Sequence, residues 1–260
     1  MNIAVCIKQV PDTTEVKINP ETNTLIREGV PSIINPFDEN AIEEALRLKE
    51  KHGGKVTVIT MGPPQAAEAL RKAVAMGADE VVLVSDRAFA GSDTWATSYT
   101  LSQAIKKLGT FDIIFCGKQA IDGDTAQVGP GIAEWFGIPQ VTFASKIEVA
   151  DGKAKIERLL EEVNEIVECP LPAVITVVKQ INEPRLPSLK GMMRAKKAEV
   201  RTLNSVDIEA DQTNCGLNGS PTSVVKIFSP PPKGGGEVFT GEVSEMIDKL
   251  ILKLKEQKTI

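Results

Sequence analysis

FDIIFCGKQAIDGDTAQVGPGIAEWF, residues 111–136, joins an apolar run to a helical pattern through a glycine-bearing loop. Phe111 to Cys116 reads as a short buried strand, and Gly131 to Phe136 as helix. Gly117 at the strand end lets the chain turn sharply and lets a ligand approach the backbone. Asp122 or Asp124 is placed to cap the helix. The N–H groups of Thr125, Ala126, Gln127 and Val128 would then converge where the helix dipole favours phosphate. The two carboxylates fit there as caps of backbone donors or as partners of a ribose hydroxyl. The stretch is neither G-x-G-x-x-G nor a P-loop, so an ordinary strand-to-helix turn is the competing reading.

The flanking chain repeats the same strand-to-helix unit. Ile3–Ile7 is a buried strand with the exit loop Lys8–Thr13. Residues 14–34 form an excursion with turn signals at Asn19-Pro20 and Asn23-Thr24. Asn35-Pro36-Phe37-Asp38 opens a helix that carries Ile42, Ala45, Leu46 and Leu48 inward, and Gly53-Gly54 stops it. Val56–Thr60 is the next strand, left through Met61-Gly62-Pro63-Pro64. A small alanine-rich helix over 66–76, a strand over 80–84 and a helix capped in Ser92-Asp93-Thr94 follow. Strands alternating with helices through short links predict a parallel sheet covered on both faces. Ligands bind outside the carboxyl ends of such strands. Three exit loops, Lys8–Thr13, Thr60–Pro64 and Gly117–Val128, converge there, which favours a nucleotide site over a plain turn.

Beyond Pro139 the pattern changes. Val141–Val149, the Asp151-Gly152 turn and Lys153–Leu159 read as a hairpin. Glu165–Glu168 adds an antiparallel strand, and Ala173–Val178 is a further buried one. The predicted fold class is therefore α/β, a doubly wound and mostly parallel sheet with an antiparallel flap and a C-terminal arm ending in a helix. The division expected is a nucleotide-binding domain over 1–200 and an arm over 201–260.

NEPRLPSLKGMMRAKK, 182–197, sets Leu186, Leu189, Met192 and Met193 among Arg185, Lys190, Arg194, Lys196 and Lys197. Pro184 and Pro187 keep its first part out of helix. Apolar anchors in a basic, irregular segment suggest a docking loop; leucines and methionines tucked into the loop's own core are the alternative. Residues 201–223 are polar and aperiodic, Val224–Phe228 suits a lone strand, and SPPPKGGG (229–236) is a linker. Thr240 is placed to cap a final helix whose Val243, Met246, Ile247, Leu250, Ile251 and Leu254 form one apolar face that needs a surface to cover.

The chain has 260 residues with formal net charge −5, which disfavours general nucleic-acid binding. Cys6, Cys116, Cys169 and Cys215 are scattered, as expected of thiols in a reducing compartment, and MNIAVCIKQV reads as a strand rather than a signal peptide. A cytoplasmic location is expected. His52 is the only histidine, at a helix end that suits a cation. A histidine-based nucleophile system or a zinc site would rest on that residue alone. No side chain is nominated as catalytic or as a metal ligand; chemistry here would belong to a cofactor.

GKQAIDGDTAQVGP (117–130), NPFDENAIEEAL (35–46), MGADE (76–80) and NEPRLPSLKGMMRAKK (182–197) resemble the β subunit of electron-transfer flavoproteins, and the resemblance covers nearly the whole chain. It implies a doubly wound domain of adenine-nucleotide-binding type with an arm on an α subunit. Its nucleotide site implies Cys6, Asn35, Val58, Ile59, Thr60, Met61, Ile113 and the run Gly117, Lys118, Gln119, Ala120, Ile121, Asp122, Gly123, Asp124, Thr125, Ala126, Gln127 and Val128. Its partner-recognition loop matches 182–197, with Leu189 at the inserting leucine. KQVPDT (8–13), NPFD (35–38) and DGDTAQVGP (122–130) are similar to the electron-bifurcating branch. That adds Pro11, Asp12, Thr13 and Asp38 to the site, with small Gly123 and Ala126 leaving space beyond a pyrophosphate. The branch implies FAD in this subunit, NADH as hydride donor, and electrons divided between the α-subunit FAD, serving a dehydrogenase such as an acyl-CoA dehydrogenase, and ferredoxin or flavodoxin. The alternatives are an AMP-binding β subunit of a non-bifurcating carrier, and a stand-alone nucleotide-binding regulatory module.

Overall fold

The computed structural model describes residues 1–12, 31–225 and 234–260. Thr13 and most of the linker lie outside them. The chain runs β1 (Asn2–Ile7), β2 (Gln9–Pro11), β3 (Ser32–Ile34), α1 (Pro36–His52), β4 (Lys55–Met61), α2 (Ala67–Met76), β5 (Glu80–Val84), α3 (Thr94–Leu108), β6 (Ile113–Gly117) and α4 (Val128–Phe136). Then come β7 (Gln140–Ala150), β8 (Lys153–Leu159), β9 (Asn164–Pro170), β10 (Ala173–Val177), α5 (Leu189–Lys197), β11 (Arg201–Leu203) and α6 (Val243–Glu256).

One nine-stranded sheet has the order β11-β5-β4-β1-β6-β10-β7-β8-β9. Neighbours are parallel from β11 to β7, while β7, β8 and β9 pair antiparallel as the expected flap. Alternation along β1 sends Ile3, Val5 and Ile7 to the face under α1 and α2, and Ala4 and Cys6 to the face under α3 and α4. From β1 the chain winds to β4 and β5, then crosses back to β6 on β1's other side. The seam between β1 and β6 is the reversal point of the winding, where a crevice opens at the carboxyl ends.

The helix signals act as read. Asp93 caps α3 by accepting from the N–H groups of Trp95 and Ala96 at 2.9 and 3.1 Å. Gly53 ends α1 at φ 72, a left-handed value that favours glycine.

Several expectations are corrected. The arm does not begin at 201. The first compact unit runs to Val225, because Arg201–Leu203 adds β11 beside β5, and Leu203, Ile208 and Cys215 are buried against the α3 face. Three apolar residues without a period gave no signal in a polar stretch. Val224 and Val225 lie in no regular element; the rest of the strand expected there is outside the described residues. The segment 182–197 is also only half irregular. Ser188 Oγ accepts from Gly191 N–H at 3.0 Å and starts α5, while 182–188 stays out of helix, as expected from the two prolines.

The second unit runs from Lys226 to Ile260. α6 is its helix, and none of its residues is buried. It begins after Glu242, with no side-chain cap, so Thr240 does not serve as one.

Candidate nucleotide crevice

The first turn of α1 organises the crevice. Asn35 and Asp38 are both buried there. Asn35 N–H donates to Lys8 O at 2.9 Å, its Nδ2 donates to Gln119 O at 2.9 Å, and its Oδ1 accepts from Ile121 N–H at 3.1 Å. Asp38 Oδ2 accepts from Lys8 N–H at 2.7 Å and Oδ1 from Gly117 N–H at 3.1 Å. The exits of β1 and β6 therefore hang on two side chains of one helix. Gly117 is required: a Cβ there would lie 2.2 Å from Asp38 Oδ1 and 2.7 Å from Phe37.

The loop above is strapped at further points. Lys8 Nζ meets Asp122 at 2.6 Å, Gln119 Nε2 donates to Asp124 at 2.7 Å, and Thr94 Oγ1 donates to Gln127 Oε1 at 2.8 Å. Neither Asp122 nor Asp124 caps α4, which starts at Val128 and has no side-chain cap. Both carboxylates find closer partners, one an ammonium and one an amide. The helix proper offers the N–H groups of Val128 and Gly129, since Pro130 has none. Thr125, Ala126 and Gln127 precede it. There Ala126 is left-handed at φ 55 and Gln127 right-handed at φ −104, ψ −22. An alternation of this kind can turn successive N–H groups towards one anion. Ala126, Gln127 and Val128 are among the donors expected, but of these only Val128 lies in the helix, and a sequence without glycine at 126 gives no hint of the turn.

The other expected residues divide. Cys6 and Cys116 face each other in register at the strand ends and are buried. The Cys116 thiol is pushed well above its usual range by its hydrogen bond with Cys6 and by burial. Thr60 donates to Ile7 O at 2.8 Å and braces β4 against β1; Val58 and Ile59 are buried beneath it, and Met61 is half-buried at the rim. Pro11 is half-buried in β2, which pairs with β3, and Asp12 is exposed with its N–H on Pro31 O. Lys118 and Ala120 are half-buried in the loop, and Gly123 has open space where a Cβ would be. Ile113 is not brought to the mouth. It opens β6 in register with Ile3, fully buried, roughly 13 Å along the strand from Gly117. Sequence reading left out Lys8 and Thr94 as groups of the site, although both stand in stretches it had singled out.

The docking segment is pegged inward and bare outward. Asn182 exchanges hydrogen bonds with Asn40 and donates to Glu44 at 3.0 Å. Arg185 is held by Glu43 at 2.7 Å and by Glu50, so its guanidinium faces α1 rather than a partner. α5 lies on α2, with Gly191 so close to Ala75 O that a Cβ would sit 2.2 Å away, and with Arg194 donating to Val74 O at 2.9 Å. Leu186, Leu189, Met192, Met193, Lys196 and Lys197 are exposed on the other side.

Residues 22–208 match the electron transfer flavoprotein domain. The chain is 56% identical to the electron transfer flavoprotein subunit beta of Thermoanaerobacterium thermosaccharolyticum, over all of both chains. It belongs to the electron transfer flavoprotein family, as a β subunit. This β subunit is also 53% identical to the caffeyl-CoA reductase-Etf complex subunit CarD of Acetobacterium woodii over the full length of both. It is 50% identical to protein FixA of Sinorhizobium fredii, with 90% of this chain and 85% of that one covered. A β subunit implies an electron transfer flavoprotein α partner. Among the described residues no helix is long and apolar enough to cross a membrane. The crevice residues fit an adenine nucleotide: the start of α4 is uncapped by any side chain, the Ala126–Gln127 turn adjoins it, and space is open at Gly123.

Proposed function

We propose that this β subunit holds FAD in the crevice, receives hydride from NADH within a heterodimer with its α subunit, and divides the electrons. One share goes through the α-subunit FAD to an acyl-CoA-type dehydrogenase, the other to ferredoxin or flavodoxin, in the cytoplasm. The observation that carries this reading is the open, uncapped start of α4 with unfilled space at Gly123. The bound flavin supplies the exchange between a hydride and single electrons. The protein's part is to bind and orient. Val128, Gly129 and the Ala126–Gln127 turn receive the phosphates, and Asn35 fixes the loop that carries them. Asp122 and Asp124, already engaged with Lys8 and Gln119, are kept from opposing that anion. Leu186, Leu189, Met192, Met193, Lys196 and Lys197 form the dehydrogenase-facing patch, with Arg185 holding the segment in place. α6 covers part of the α subunit.

A relative named for a caffeyl-CoA reductase-Etf complex supports the acyl-CoA side of this reading. The small donor set favours a second reading, a single phosphate and hence AMP. The deciding measurement is the nucleotide released when the heterodimer, reconstituted with excess FAD, is denatured. Two FAD per heterodimer is expected; one FAD and one AMP would leave the simpler carrier.

A further inference from the structure

We propose that Phe143 is a wall of the crevice: its ring is held at a strained backbone position to receive the flat heteroaromatic ring of the bound nucleotide. This rests on the reading of the crevice as a nucleotide site and extends that site across β10 to β7.

The backbone marks the position. Phe143 has φ 61, a left-handed value that is costly for a bulky side chain. It stands in a bulge. β10 and β7 are in register at Ile175 opposite Val141 and again at Val177 opposite Ala144, so Thr142 and Phe143 together face Thr176 alone. Glycine is the usual residue where a bulge turns left-handed, and bulges re-aim side chains beside active sites. Phe143 N–H donates to Thr176 Oγ1 at 3.2 Å, which holds the turned backbone. Strain of this kind gathers at ligand sites, where function requires the side chain.

Packing does not account for the ring. It is half-buried, yet it joins neither the core under α1 and α2 nor the core under α3 and α4. Its neighbours belong to the crevice. Val177 lies opposite Gly117 as well as Ala144, so Phe143 stands at the mouth end of the sheet. Lys118 N–H donates to Val177 O at 2.8 Å, and the Lys118 ammonium lies 5.4 Å from the centre of the Phe143 ring. On α4, Gly129 is so close to Thr176 that a Cβ would sit 2.6 Å from its Cγ2. The strained residue is therefore one side chain away from the helix start that receives the phosphates. A ring face stacks on a flat ring, and an ammonium beside it favours an attached anion. Adenine and isoalloxazine both meet that description as parts of a nucleotide.

The test titrates the heterodimer, freed of its crevice nucleotide, with FAD and separately with AMP, and follows urea unfolding of the same proteins. Phe143→Gly removes the ring and suits the left-handed backbone, whereas Phe143→Tyr keeps the ring. For Phe143→Gly the expected result is binding weakened about tenfold, with an unfolding midpoint no lower than that of wild type. For Phe143→Tyr it is binding within about twofold of wild type. FAD and AMP weakened alike assign the wall to adenine; FAD weakened alone assigns it to the isoalloxazine. Unchanged binding in Phe143→Gly of every ligand that wild type holds overturns the proposal and leaves the nucleotide reading standing. Binding of neither ligand to wild type overturns both. Should Phe143→Gly unfold more easily than wild type, Phe143→Leu, which keeps the bulk and loses the ring, decides. A tenfold loss there upholds the wall, and unchanged affinity overturns it.

Discussion

The crevice and the docking segment both hang on α1, yet only the second is pegged by ion pairs and left bare on its outer face. At the crevice the buried Asn35 and Asp38 side chains grip backbone groups of Lys8, Gly117, Gln119 and Ile121. At the docking segment the ionic pegs run side chain to side chain, Arg185 on Glu43 and Glu50, beside Asn40 and Arg194 on backbone carbonyls, and the outer surface is bare, Leu186 being 90% exposed. Backbone clamping fixes a shape that tolerates little change. Side-chain pegging fixes only a position and leaves the outer face free for a partner. Damage to the first should therefore appear as lost folding and lost ligand together, and damage to the second as a lost partner.

The strongest test of that contrast is α6, a helix with an apolar face and none of its residues buried. A chain ending at Val225 should remain folded and lose its α subunit entirely on co-purification. Equal yields of the α subunit with and without residues 226–260 would remove α6 from the class of docking faces. Next is the crevice floor. Gly117→Ala should lower stability by about 2–3 kcal/mol and strip the crevice nucleotide, because the new methyl overlaps Asp38 and Phe37. Urea unfolding and nucleotide content read both effects, and loss of only one would break the link between shape and ligand.

A smaller effect is expected at the pegs. Burial alone would raise Glu43, but the Arg185 and Arg47 hydrogen bonds outweigh it and hold the carboxyl below its usual range. Its folded value thus lies below the unfolded one, so the stabilisation is present at neutral pH and fades as pH falls through the folded value. Arg185→Gln should cost about 1–2 kcal/mol near pH 7, discounted for a guanidinium one-third exposed, and almost nothing once the pH has fallen below the lowered Glu43 value. A loss that persists in acid would mean that the pegging is not ionic. The smallest change in stability belongs to the outer face. Leu189→Ala should leave unfolding within about 0.5 kcal/mol of wild type while raising the KM of dehydrogenase-coupled turnover about tenfold. NADH reduction of the flavin should be untouched; an equal fall in both activities would show Leu189 to be structural.

Most of the sheet was legible because strands buried on both faces read as unbroken apolar runs, and Gly53, Gly77 and Gly109 punctuate the helices. The mouth was legible too, since three strand exits must share one end of a parallel sheet. What escaped was set by long-range partners. Asp122 and Asp124 look like caps in the local sequence, but Lys8, 114 residues away, and Gln119 engage them first. Leu203, Ile208 and Cys215 have no period, so their burial depended on β5 and α3 being there to receive them. Arg185 looked like a surface cation until α1 supplied the two carboxylates that hold it. The Ala126 turn was hidden because a left-handed residue other than glycine leaves no mark in composition.

α1 also acts as a gauge. Asp38 stands in its first turn and Glu50 in its last, twelve residues on, about 18 Å of rigid helix. A protein seated on the pegged segment is set at a distance from the crevice fixed by helix pitch, rather than by the reach of a loop. A partner docked there is thereby held in a fixed relation to the crevice clamp, through one helix and the pegs along it, rather than through a free loop.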